Sequence, residues 1–257
     1  NLMMKAKPLK LGLLLLFLGL LGILSLLATR VPLESLSPEA VALNSPEALQ
    51  FIVLINPFII TVIAIIAGVL LYERVGLSVP VLESFIDRPV KGALFLNQLA
   101  WSLPIGMVVG CLVFFFSAWF EKMLPEEFSE LAKDFEPAMV TRFLYGGFTE
   151  EIILRFGLTT LLVWLHLLIF KKIKPAVYWS SILISAFLFG AGHLGVLFAS
   201  IESPPAAMIV YIIAGNAFGG IFLGWLYWKK GLESAMTGHM FMHLSIIILT
   251  GIAASGQ

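Results

Sequence analysis

Charge is scarce in this sequence: Asp, Glu, Lys and Arg make up 12% of its 257 residues, about half the share of an average soluble domain. That scarcity excludes an ordinary water-soluble enzyme, because so little polar surface could not cover a core in water. The lipid bilayer is the solvent that fits. Neither sign of charge is in excess, with 16 basic and 16 acidic residues, so there is no basic surface for nucleic acid, and none is expected as a partner. Cysteine is almost absent. Cys111 alone leaves no disulfide within the chain and no Cys-based zinc site, and its place in an apolar run points to packing.

Long uncharged runs are what the sequence has in abundance. A helix needs about 20 mostly apolar residues to cross ~30 Å of hydrocarbon. Seven runs qualify: Leu9–Ala28, Phe51–Leu71, Ala93–Phe120, Leu144–Phe170, Ala176–Ala199, Ala206–Trp228 and Leu232–Ala254. β-Barrel strands would be shorter and would alternate. The expected fold is therefore all-α, a polytopic bundle of seven or eight spans around a polar intramembrane cavity. It is expected to form one domain over residues 1–257. The first run reads as a span, since it exceeds a signal-peptide core and no small-x-small site follows it.

Basic residues set the expected orientation. Lys5, Lys7, Lys10, Arg74, Arg88, Lys91, Lys171, Lys172, Lys174, Lys229 and Lys230 fall on one side, against Arg30, Lys122, Lys133 and Arg142 on the other. The N-terminus is then cytoplasmic and the C-terminus outside, in a prokaryotic cell membrane; an eighth span would return the C-terminus to the inside. The acidic stretch Pro32–Gln50 reads as an external loop. Val79–Arg88 and Glu126–Tyr145 mix apolar and charged residues as helices lying on the headgroups do. No internal repeat is visible.

An ionised side chain at the bilayer centre costs about 2.5–3.5 kcal/mol on the insertion scale, so intramembrane charge needs a reason. The fourth span carries Thr149-Glu150-Glu151-Ile152-Ile153-Leu154-Arg155, the fifth Phe189-Gly190-Ala191-Gly192-His193, and the seventh His239-Met240-Phe241-Met242-His243. Glu151 and Arg155 are i,i+4 neighbours that can pair, whereas Glu150 points about 100° away and is left to face a cavity as a general base. Imidazoles at 193, 239 and 243 offer proton transfer or metal ligation. Phe189, one turn before His193, packs and restricts its rotamer. Glycines at 146, 147, 190, 192 and 195 allow close helix approach or a bend. His166 reads as a satisfied imidazole, and Glu233, at the mouth of the last span, as facing solvent.

The three motifs EEIILR, FGAGH and HMFMH, in that order on separate spans, resemble those of the CAAX protease and bacteriocin-processing family of intramembrane proteases, related to type II CAAX prenyl endopeptidases. The resemblance covers a motif-bearing core at about 137–254. It implies an endopeptidase acting on a membrane-associated peptide or protein, possibly a prenylated CAAX-type substrate, from the cytosolic side, with a cavity opening inward. It further implies that Glu150 and His193 activate water, that His239 and His243 stabilise the oxyanion, and that Glu151, Arg155 and Phe189 support them. His243 stands where the family's asparagine is usual; as a neutral imidazole it can still donate one hydrogen bond. No cofactor is required on this reading. If a metal is present, zinc held by His193, His239 and His243 is the alternative.

Two other functions compete. A zinc-dependent seven-helix lipid hydrolase or receptor, similar to the progestin and adipoQ receptor group, would share the last-span histidine pair but has no need of EEIILR. A proton-coupled transporter would use Glu150, Glu151 and Arg155 as a charge network. HMFMH is not H-E-x-x-H, and no G-x-S-x-G turn accompanies Ser181, Ser185 or Ser234. A depth estimate leaves one difficulty. Glu150 and His193 fall in the outer half, while His239 lies about eight residues, roughly 12 Å, from the inner edge; straight helices would hold them apart.

Overall fold

The structure, a computed structural model, describes residues 2–29, 45–87, 92–125, 128 and 137–256. The uncharged runs become helices because a chain in hydrocarbon must satisfy its backbone N–H and C=O groups within each segment. In chain order these are α1 (Leu2–Ser25), α2 (Pro46–Leu71), α3 (Pro80–Asp87), α4 (Gly92–Phe120), α5 (Met139–Phe170), α6 (Pro175–Gly192), α7 (Leu194–Ser200), α8 (Ala206–Lys230) and α9 (Leu232–Ser255). All but α3 and the short α7 are long and apolar enough to span a membrane, with α6 running on into α7, and no strand occurs among the described residues. The spans match the seven uncharged runs to within a few residues. The protein is an all-α polytopic membrane bundle.

The expected surface helix at 79–88 is α3. Of the other, Glu126–Tyr145, residues 126, 127 and 129–136 lie outside the described residues, and from Met139 the chain is already in α5. The acidic loop likewise lies outside them up to residue 44; Ser45 then caps α2, its side chain accepting from the Ala48 N–H at 3.3 Å.

Glu233 corrects its expectation. It is 6% exposed, not solvated, because α3 folds back over the start of α9. Glu233 Oε1 accepts from the Leu82 N–H at 2.7 Å, Oε2 takes Gln98 Nε2 at 3.4 Å, and the Leu232 N–H donates to Ser78 O at 3.1 Å. A carboxylate on the first turn of a helix offsets its unpaired N–H groups and positive pole. Beside it, Tyr72 donates to Glu83 at 2.6 Å and Lys7 reaches Glu83 at 3.2 Å. Burial, and then the Glu83 carboxylate, push the Tyr72 phenol well above its ordinary pKa.

The fold sets α9 through a seam of small residues. Gly106 and Gly110 of α4 face the carbonyls of Gly238 and Met242, so closely that a Cβ at either glycine would press on those oxygens. Membrane helices gain packing by such close backbone approach. Each contacted carbonyl immediately precedes a histidine, so the seam fixes the height and rotation of His239 and His243. Gly110→Leu is expected to lower stability by about 1–3 kcal/mol through overpacking and to lower cleavage with it, measured by thermal unfolding in detergent; an unchanged melting temperature would remove the seam from this role.

Candidate active site

The fourth span is wound differently from its neighbours. Residues Arg142–Glu150 and Ile152–Thr159 of α5 form wide π-type turns before regular α-helix resumes at Thr160. π-Type turns widen the i→i+4 ladder to i→i+5 and often mark functional sites. Hydroxyls supply extra donors here: Thr159 Oγ1 donates to Leu154 O at 2.8 Å and Thr160 Oγ1 to Arg155 O at 3.3 Å, each five residues back, and Ser185 of α6 also donates to Leu154 O at 3.1 Å.

This winding separates the two adjacent acids. Glu151 is fully buried, while Glu150 keeps 17% side-chain exposure and lines a cavity of about 290 Å³. The expected pair forms, Arg155 Nη1 lying 3.0 Å from Glu151 Oε1. Arg155 is also buried; its Nη2 donates to Gly220 O of α8 at 3.2 Å, and its guanidinium sits 5.5 Å from the Phe189 ring centre.

Sequence reasoning missed the second partner of Glu151. His239 Nδ1 lies 2.7 Å from the same Oε1. Acceptance by the carboxylate puts the His239 proton on Nδ1 and turns Nε2 towards the cavity. His239 Nε2 is 3.2 Å from His243 Nε2 and 3.8 Å from Glu150 Oε2, and the two imidazoles stack 4.9 Å apart. The bond to His243 is satisfied when His243 donates from Nε2. Gly146, one turn before Glu150, is the floor beneath both rings: a Cβ there would stand 3.1 Å from His239 Nε2 and 3.3 Å from His243 Nε2.

His193 lines the same cavity from the end of α6. Its Nδ1 bonds Phe189 O at 2.9 Å and its ring meets Phe189 edge-on at 4.7 Å, so Nε2 is the atom left for chemistry. Phe189 therefore packs on both His193 and Arg155, as its position suggested. Of the nearby glycines, Gly190 lets α6 approach the backbone of Ile213, and Gly147 packs on Met240, whereas Gly192 and Gly195 face open space. His166 is satisfied by Leu162 O at 2.8 Å. Ser181, Ser185 and Ser234 do not line the cavity.

The axial difficulty resolves through the length and winding of α5. Thr160 Oγ1 and Tyr227 OH bond at 2.8 Å, so Thr160 stands level with the last turn of α8. The wide turns shorten the rise between Glu150 and Thr160. Glu150 and His239 consequently meet. Asn216 of α8 also lines the cavity, with Nδ2 donated to Ile212 O at 2.8 Å. A lone amide inside an uncharged run was the signal that could have found it.

The metal reading fares differently. Among the described residues no three His, Cys, Asp or Glu donors are arranged to hold a metal ion. His239 and His243 bring two nitrogens together, and a catalytic zinc site needs three protein ligands.

Residues 134–245 match the family model of the Rce1-like type II CAAX prenyl endopeptidases. This stretch, a little under half of the chain, is similar to the CAAX protease family. It contains Glu150, His193, His239 and His243, and the match supports a membrane-embedded protease. No curated protein and no solved structure matches the chain.

The buried cluster and the cavity residues should separate by mutation. Removing one partner of a buried ion pair costs about 3–5 kcal/mol, so Arg155→Met is expected to collapse thermal stability. Gly146→Ala should leave the melting temperature within a few degrees but cut turnover at least tenfold, by wedging a methyl group under the two imidazoles. Loss of stability in Gly146→Ala equal to that in Arg155→Met would refute this division.

Proposed function

We propose that this protease hydrolyses a peptide bond of a membrane-associated substrate with a water activated by Glu150 and His193, and with the oxyanion held by His239 and His243. The observation that carries this reading is the unequal fate of the adjacent acids: Glu150 reaches the cavity, whereas Glu151 is sealed behind it and bound to Arg155 and His239. Only Glu150 can meet water and substrate.

In the step we propose, Glu150 takes a proton from water while the oxygen attacks the scissile carbonyl carbon, with His193 Nε2 accepting the water's second hydrogen bond. Negative charge then develops on the carbonyl oxygen. His243 donates to it from Nε2, and His239, its proton held on Nδ1 by Glu151, orients His243 through the contact between their Nε2 atoms. On collapse, the C–N bond breaks and the leaving nitrogen receives the proton from Glu150. Fixed donors in a site shielded from bulk water need little reorganisation as charge develops.

Glu150→Gln is expected to reduce cleavage of a membrane-anchored peptide by about 10²–10⁴-fold, the usual worth of a general base, with unfolding unchanged. His243→Asn, which keeps a donor, should stay within about tenfold of the parent protein, and His243→Leu should not. Cleavage should also persist after chelation has removed bound zinc. A Glu150→Gln protein that still cleaves, or activity that tracks zinc content, would replace this reading with one in which the histidines are ligands.

A further inference from the structure

The two ends of the bundle are unlike. At one end α1, α4, α6 and α9 begin and α2, α5 and α8 finish, and this end is closed. Phe156, Leu226, Tyr227, Leu232 and Ala235 there have no exposed surface and belong to one continuous apolar core. α3 lies across it, pinned by Glu233 to the Leu82 N–H. Among the described residues, none between the Thr160–Tyr227 hydroxyl pair and that end lines the cavity.

The opposite end is where the cavity reaches the surface. Its lining includes Ser117 near the end of α4, Pro137, Thr141 and Arg142 at the start of α5, and Tyr211 near the start of α8, with the exposed His193 beside them. From this mouth the lining runs inward to Glu150 and His239 and stops.

Basic residues divide between the same two ends. Among the described side chains Lys7, Lys10, Arg74, Lys171, Lys172, Lys174, Lys229 and Lys230 stand at the sealed end, and Lys122 and Arg142 at the open one. The Lys/Arg-rich end of a membrane bundle is the one retained in the cytoplasm. This bias is a property of the bundle ends and does not depend on where the chain begins.

We propose that the catalytic cavity opens on the non-cytoplasmic face of the membrane, so that its substrate is a membrane-anchored peptide whose scissile bond lies on that face. This reverses the inward opening implied by the family resemblance. A lipidated tail presented from the cytoplasm would meet α3 and a packed core instead of a cavity. The word substrate rests on the proteolytic reading; the sidedness of the cavity does not.

Sidedness is tested by cysteine accessibility in cells producing the full chain with Cys111→Ser. Single cysteines are introduced as Ser117→Cys in the cavity, Lys122→Cys at its mouth and Lys172→Cys at the sealed end, and are probed with a membrane-impermeant maleimide. The expected result is labelling of the first two in intact cells and of Lys172→Cys only after permeabilisation. Lys172→Cys labelled in intact cells, with the other two protected until permeabilisation, overturns the proposal. A second arm uses sealed vesicles of each orientation and a lipid-anchored peptide added outside. Cleavage in right-side-out vesicles that is lost in Glu150→Gln supports both readings, and cleavage in inverted vesicles alone overturns the sidedness while sparing the protease. If neither orientation cleaves but the labelling is as expected, the proteolytic reading fails and the outward cavity stands.

Discussion

A carboxylate with no exposed surface inside a membrane bundle is the constraint on which the rest of the site depends. Glu151 has no water to solvate it, and an uncompensated buried charge costs several kcal/mol, against total stabilities of about 5–15 kcal/mol. Its compensation comes from two directions, Arg155 on its own helix and His239 from α9, both at Oε1. Arg155 in turn is held by Gly220 O of α8 and lies against Phe189 of α6. One buried acid thus ties together four of the helices that line the cavity, and any substitution that frees Glu151 also frees His239.

Bringing charge to the centre of a bundle requires backbones that approach closely, and the glycines meet that requirement where the charged groups are. Gly220 gives Arg155 access to a carbonyl, Gly146 leaves room for two imidazoles, and Gly106 with Gly110 lets α9 settle against α4. The wide turns of α5 belong to the same solution. They leave carbonyls that an ordinary helix would satisfy differently, and Thr159, Thr160 and Ser185 place hydroxyls on them. Polar side chains in these spans therefore divide their work: these hydroxyls complete the backbone of a distorted helix, and others, Glu150 and Asn216 among them, line the cavity beside it.

The spans were legible because an uncharged run of twenty residues has few alternatives, and the division between Glu150 and Glu151 was legible because Arg155 four residues on chooses one of them. The pairing of Glu151 with His239 was not. It joins residues 88 apart in sequence, and only the seam of α4 against α9 determines which face of α9 meets α5. The meeting of Glu150 with His239 was hidden because the chain winds differently through Arg142–Thr159. Glu233 was misplaced for a related reason: a charged residue at the end of a span looks solvated in sequence, and nothing local announces that α3 will fold over it. What the sequence left hidden is in each case a relation between elements, while what it disclosed was a property of one element.

Hydrolysis within a membrane needs water to reach the scissile bond without opening a leak through the bundle, and the asymmetry of this fold answers both needs. The cavity lining reaches inward to Glu150 and His239, and Phe156, Tyr227 and Leu226 are fully buried in the core. The ion pair of Glu151 and Arg155 lies at that boundary, screened from the cavity yet bonded to a residue that lines it. A charge there fixes the proton of His239 on Nδ1 without competing with Glu150 for water. On the proposed mechanism the duplication of the acid in adjacent positions follows from this division: one carboxylate faces the cavity to exchange protons with water, and the other is sealed to hold an imidazole in a single tautomer.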